Sequence, residues 1–301
     1  MSFDQETVRL PIRFGPKVLA RLSFQALVCQ DHFADLSVES IVPNGTAEAM
    51  IFPSVPLDGG KHRVLTFRNA HIFYSPKLFP HYLADLTGDF ESYLNFFGSK
   101  SKATLRRKVR KFDEVAGPDS FREYRTPDEL LEFHRGAREL SKRTYQEKLL
   151  GHGLPEGSEF IQKMTELASQ NQVRAYSLSL NGRFAAYLYC PARQGILYYD
   201  FLGYDPEHSA ISPGAVLQYR AFERLYAEKQ FRLFDFEEGE GQHKRQFSTT
   251  CIQCSNLMIF RRGPKSIAYI AADYSFQRLT ELSLRLLDKL NLRTRARKAI
   301  R

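Results

Sequence analysis

Four carboxylates and a lysine stand where short apolar runs end: Asp200, Asp235, Glu237, Glu238 and Lys244. Asp200 interrupts the apolar run from Leu197 to Leu202. A carboxylate there is desolvated unless paired, and desolvation lifts its pKa toward the working range of a general base. Asp235 and Glu237 are two apart in an extended segment, so they fall on one face and one can act while the other orients. Each also reads plainly as a solvated strand end or as an ion-pair partner for Lys244 or Arg245. Lys244 follows an acidic, Gly-containing loop from Glu237 to Gly241. Its ammonium suits a phosphate or a developing oxyanion, and equally the surface of a helix start. Ser212-Pro213-Gly214, followed by Ala215 and Val216, reads as the first turn of a helix after a strand. Backbone N–H groups at such a turn carry partial positive charge and suit an anion. Pro213 presets φ and Gly214 removes a side chain from the approach. Many helices begin this way without a ligand.

Cys251-x-x-Cys254 invites a metal or redox reading. Thr249 to Phe260 reads as a strand, however, and positions three apart in a strand point to opposite faces. No second cysteine pair completes a tetrahedral site. The expectation is free thiols and no metal.

The elements that must position these groups follow from periodicity. Residues 1–95 read as short strands and turns, among them Val8–Ile12, Ala20–Phe24, Ile51–Pro53, Val64–Phe67 and His71–Tyr74. Phe90 to Val115 reads as helix, with Leu105, Val109 and Phe112 as its apolar stripe. Thr126-Pro127 begins a helix to about Ser141, and Ser158 to Gln170 is another. Residues 173–180 alternate as a strand, with Arg174, Tyr176, Leu178 and Leu180 on one face. Asn181-Gly182 is the strongest hairpin signal. Strands follow at Phe184–Cys190 and Ile196–Tyr204, where Gly203 can end or bulge the strand and Tyr198 and Tyr199 face opposite ways. The helix from Gly214 to Lys229 leads to a strand at Phe231–Phe236. Strand, crossover helix and strand make two neighbouring strands parallel. Lys265 to Arg301 reads as helix, with Leu279, Leu282, Leu286 and Leu290 at three-to-four spacing.

The chain has 301 residues and a formal charge of +9. The charge is concentrated. Lys100 to Lys111 holds seven cations and no acid, and Phe276 to Arg301 has a net charge of +6. Nucleic acid, an anionic membrane surface or an anionic substrate each suits such segments, as does a solvated helix face. No run approaches the roughly 20 apolar residues of a membrane helix. The start of the chain lacks a signal-peptide pattern, so a cytoplasmic location is expected.

The block Gly182-Arg183, Gly203-Tyr204-Asp205, Ser212-Pro213-Gly214, Asp235-Phe236 and Lys244-Arg245-Gln246-Phe247 resembles the GNAT superfamily of acyltransferases. Within it, the block is similar to the cellulose-biosynthesis CelD-like group, relatives of the FemAB peptidyltransferases. Ser99-Lys100-Ser101-Lys102, Leu105-Arg106-Arg107-Lys108 and Ser141-Lys142-Arg143-Thr144-Tyr145-Gln146 agree with it, and the resemblance covers residues 85–262. It implies an α/β fold with a mixed (α+β) sheet, in two related halves with the N-terminal one degenerate. The expected division is 1–95 for that half, 96–263 for the acyltransferase domain and 264–301 for a basic helical segment. The resemblance also implies acetyl-CoA or a longer acyl-CoA as donor. The implied acceptor is an amine: an amino sugar, an amino acid or an envelope or polysaccharide precursor.

On this reading Asp200 or Glu237 takes the amine's proton, and Ser212 to Val216 seat the pyrophosphate. Lys244 matches a lysine that takes part in the FemAB reaction, with His243 in place of an aromatic. Arg143, Tyr145, Gln146 and Tyr199 face the acceptor. Superfamily enzymes carry Gln or Arg, then Gly, then Gly or Ala, where this chain has Ile211, Gly214 and Val216. That departure keeps open a FemAB-like aminoacyl-tRNA donor held by the cations of 100–111. A third possibility is a non-catalytic basic module that binds nucleic acid or membrane.

Overall fold

The computed structural model describes residues 3–15, 17–29, 45–57, 62–144 and 153–289. Tyr145 and Gln146 lie outside these. Contacts divide the chain into two units: residues 1–79 with 252–301, and residues 80–251. The sequence reading draws its boundaries at 95/96 and 263/264. The contacts draw them inside strands, because the segment after residue 251 packs with the N-terminal strands.

In the first unit, β1 (Phe3–Phe14), β2 (Lys17–Cys29), β3 (Ala49–Pro56) and β13 (Thr250–Arg261) lie side by side in that order. β4 (Leu65–Arg68) pairs with β5 (His71–Tyr74), which pairs with β13. The β2–β3 pair is parallel and the others are antiparallel. The helix α7 (Pro264–Lys289) buries Tyr269 and Ile270 against Phe24, Met258 and Phe260. Cys251 is exposed and Cys254 buried, as the period of two requires.

The second unit has a mixed sheet in the order β6 (Leu78–Asp85), β12 (Leu233–Glu238), β10 (Ile196–Tyr198), β9 (Arg183–Arg193), β8 (Val173–Leu180), β7 (Phe121–Tyr124). A short strand, β11 (Phe201–Tyr204), pairs with β9. The helices are α1 (Phe90–Asn95), α2 (Ser99–Ala116), α3 (Pro127–Ser141), α4 (Ser158–Ser169), α5 (Pro213–Glu228) and α6 (Gln242–Phe247). The single helix read over 90–115 is thus two, separated at Phe96 to Gly98.

Local chemistry sets these boundaries. Thr126 and Glu129 form a reciprocal capping box at the start of α3, with Pro127 in its first turn. Asn181 and Gly182 both have positive φ, 51° and 75°, the conformation a two-residue hairpin needs. The face alternation read for β8 holds, but neither face is open to solvent: nearly every residue of the strand is buried. The reason is that both faces are covered. Tyr176, Leu178 and Leu180 pack with Leu105, Val109 and Phe112 of α2 and with Phe222 of α5. Val173 and Ala175 pack with Leu130 and Phe133 of α3 and Met164 of α4. Arg174 is fully buried, and its guanidinium is held by Glu228 at the end of α5 and by the Gln230 side chain. A buried charge requires such a partner.

Candidate active site

β10 and β12 run parallel and pair through Ile196–Leu233, Leu197–Phe234 and Tyr198–Asp235. One further bond follows, from the Tyr199 N–H to the Asp235 carbonyl at 2.8 Å. Beyond it the two strands part, and β11 pairs with β9 alone. The strand read as continuous over 196–204 breaks at the fork. There the Asp200 N–H turns back to the Tyr198 carbonyl at 3.1 Å. Gly203 neither ends nor bulges the strand. It lies within β11, where a Cβ would fall 2.4 Å from the Tyr187 ring, so its missing side chain makes room for that ring.

β12 bends at the same level. Its register with β6 shifts between Asp235 and Glu238, and Glu237 sits at φ 62°. An extra residue of this kind re-aims the side chains beside it. Asp235 and Glu237 therefore do not share a face: Asp235 is fully buried and Glu237 is half-buried. Asp235 holds the bulge in place. Its Oδ1 accepts from the Glu237 N–H at 2.7 Å and from His81 Nε2 of β6 at 2.5 Å. His81 is fully buried as well.

The bulge in turn holds Lys244. Its ammonium donates to the Glu238 carbonyl at 2.8 Å and to the Glu237 carbonyl at 3.4 Å. Burial lowers the Lys244 pKa, while Glu237, Asp235 and Glu238 pull it back up. The preceding residue, His243, stacks on Tyr199 with ring centroids 5.4 Å apart and planes 26° apart. This stack brings α6 against the end of β10. Burial, and then the Lys244 charge, lower the His243 pKa, which favours a neutral ring.

Asp200 follows Tyr199 at the fork. Its side chain is recessed among protein atoms yet open to solvent on one side. Desolvation raises its pKa to about 6, opposed by the charges of Lys163 and Arg193. A carboxyl group in that range takes up and gives back a proton near neutral pH.

The helix α5 begins at Pro213, where the sequence reading expects an anion-binding turn. Ser212 is left-handed, φ 54° and ψ 49°, and makes no side-chain cap. The Ala215 and Val216 N–H groups both point to the Ser212 carbonyl, each at 3.1 Å. The Gly214 N–H meets no acceptor among the described residues. A Cβ on Gly214 would stand 3.3 Å from the Tyr204 ring and 3.8 Å from Leu202. The turn therefore offers an uncapped end with one open donor and a close approach. It fits a phosphate oxygen but is sparer than a full cradle.

Arg143 lies at a different place in the unit. It pairs with the buried Asp205 at 3.0 Å and lines a cleft of about 330 Å³ with Asn181, Arg183 and His208. Asp205, Glu207 and His208 bring ligand-type atoms within 4.8 Å of one another. The Asp205 carboxylate is already committed to Arg143 and to the Glu207 N–H. The fork thus holds Asp235, Glu237 and Lys244 together on one prong, with Tyr199 tied to them through His243, while the charges that bear on Asp200 are those of Lys163 and Arg193. Sequence reasoning passed over His81, and its one signal is a histidine inside the apolar run Leu78 to Leu86.

The acetyltransferase (GNAT) domain family matches residues 99–245. Among solved structures, FemX matches with 11% identity and a TM-score of 0.51, over 84% of this chain and 88% of that one. The L-PGS of Bacillus licheniformis matches with 15% identity and a TM-score of 0.46, over 75% of this chain and 72% of its own. A tandem GNAT protein from the clavulanic acid biosynthesis pathway matches with 14% identity and a TM-score of 0.38, over 72% and 66%. At 11% identity the likeness to FemX is one of fold. By sequence, no curated protein matches significantly. The matched segment, residues 99–245, is the one that holds the parallel β10–β12 pair and its crossover helix, so the chain is similar to the acetyltransferase (GNAT) domain over that stretch.

Proposed function

We propose that the protein is an N-acyltransferase that moves an acyl group from acyl-CoA to an amine. The observation that carries this reading is the fork beyond Tyr198 and Asp235, with Asp200 on one prong and Lys244 beside the other. In the reaction the amine nitrogen attacks the thioester carbonyl. The C–N bond forms, the C–S bond breaks, and the sulfur leaves as the coenzyme A thiolate, to which the proton taken from the amine returns through solvent. Asp200 accepts the amine's proton, directly or through one water, and Glu237 is the alternative base. Lys244 stabilises the oxyanion. Ser212, Pro213, Gly214, Ala215 and Val216 receive the pyrophosphate, chiefly through the Gly214 N–H. Tyr199 faces the acceptor at the fork, and the resemblance alone adds Arg143, Tyr145 and Gln146. The acceptor class this resemblance implies is an amino sugar, an amino acid or an envelope or polysaccharide precursor.

A second reading has its own observation. Lys100, Arg107, Lys108 and Arg110 of α2 make no ion pair among the described residues. An aminoacyl-tRNA donor would use them, and binding would then weaken steeply with salt as counterions are released. Thermal stabilisation separates the two. Acetyl-CoA at a hundred times its Kd should raise the unfolding free energy by about 2.7 kcal/mol. Stabilisation by aminoacyl-tRNA and none by acyl-CoA would select the second reading. Stabilisation by neither, with unchanged function in Lys244→Ala, would select the non-catalytic basic module.

A further inference from the structure

We propose that α7 docks the protein on an anionic membrane surface through its leucine face. Leu279, Leu282 and Leu286 are 49%, 54% and 59% exposed. Their spacing of three and four places them in one stripe along the helix. Soluble surfaces carry single exposed leucines as a matter of course, but an aligned row of three on one helix is a patch. The stripe has a charged border. Arg278 and Arg285 are exposed and seven apart, so they lie on one line, next to the leucines. Glu281 pairs with Arg278 at 3.0 Å, which leaves Arg285 as the unpaired cation of this border among the described residues.

The sequence after the described part of the helix adds Arg293, Arg295, Arg297, Lys298 and Arg301, with no acid from residue 290 onward. No described helix is long and apolar enough to cross a membrane. A leucine stripe bordered by cations is the pattern of a helix lying in the interface, its apolar face among the lipid chains and its arginines among the headgroups. Charge decides against a second copy as occupant. Two copies would each carry Arg285 and a following sequence of five cations with no acid, and so repel, whereas an anionic leaflet attracts these charges. The leaflet's charge supplies the attraction and the leucines the depth. This docking is independent of the transfer reaction.

The test is sedimentation of the full chain with vesicles of phosphatidylcholine alone and of phosphatidylcholine mixed with phosphatidylglycerol. The expected result is binding to the mixed vesicles only, weakening as salt rises. The double substitution Leu282→Glu and Leu286→Glu should cut that binding at least about tenfold. It should leave the melting temperature unchanged, because both side chains are exposed. Replacing Arg293, Arg295 and Arg297 with alanine should weaken binding and flatten its salt dependence. The proposal is overturned by failure to bind mixed vesicles at low salt, by equal binding to neutral vesicles, or by full binding of the leucine variant. A dimer in solution that the leucine variant renders monomeric would also overturn it and assign the face to a second copy.

Discussion

Two aspartates stand at the ends of two paired parallel strands, and their surroundings give them opposite work. Asp235, at the end of the β10–β12 pairing, is fully buried, and its Oδ1 accepts from both His81 and the Glu237 N–H. Asp200, beyond the end of β10, is recessed but open, and no hydrogen bond or ion pair engages its carboxylate among the described residues. A buried carboxylate with good donors is structural material; a partly desolvated one without them is held near its titration point. Desolvation makes a base only when it is not answered. One aspartate thus holds the fork together, and the other is the one we propose as the base.

The largest expected effect comes from breaking the structural side. Asp235→Ala leaves buried His81 and the Glu237 N–H without their acceptor and should cost on the order of 3–5 kcal/mol in denaturant unfolding. A loss under 1 kcal/mol would show that the bulge does not depend on this carboxylate. Lys244→Ala removes the ammonium while the bulge carbonyls regain solvent. It should lower kcat by about 10²–10³ with little change in stability. An unchanged kcat would leave Lys244 a surface contact of its loop.

Asp200→Asn is next, with about a hundredfold loss in kcat/KM. The parent enzyme's kcat/KM should rise with pH through about 6, where the carboxyl becomes a base, and this limb should vanish in the variant. Stability follows the opposite sign. The folded pKa lies above the ordinary value of 3.8. This group's contribution is therefore fully present below that value and is lost as pH rises through about 6. The asparagine variant should show no such loss. A limb that persists in Asp200→Asn transfers the base to Glu237. The smallest effect belongs to Glu237→Gly, which relieves a left-handed φ of 62° and should stabilise by up to about 1 kcal/mol. If activity survives this change, only the bend matters and not the carboxylate.

How far the sequence reached is clearest in the second unit. The helix starts at Thr126 and Ser212, the Asn181-Gly182 hairpin and the crossover through α5 depend on neighbours in the chain, so residue type settles them. Asp200 was legible for the same reason, as a charge inside an apolar run. The cover on β8 was not, because a period of two cannot reveal that helices pack on both faces. Nor was the division between units, since it turns on where the segment after residue 251 folds back.

The chain order of Asp235, Glu237 and Lys244 and the cationic stretches of α2 and α7 are written in the residues themselves. Local rules also suffice to place a glycine-bearing helix start after the Tyr-rich strand. Tertiary structure alone decided that β10 and β12 would part, that Glu237 would turn out of register, and that His81 would meet Asp235 at 2.5 Å. The physical reason is separation along the chain: His81 and Asp235 are 154 residues apart. No local preference in either segment carries the register that joins them; only the pairing of β6 with β12 does.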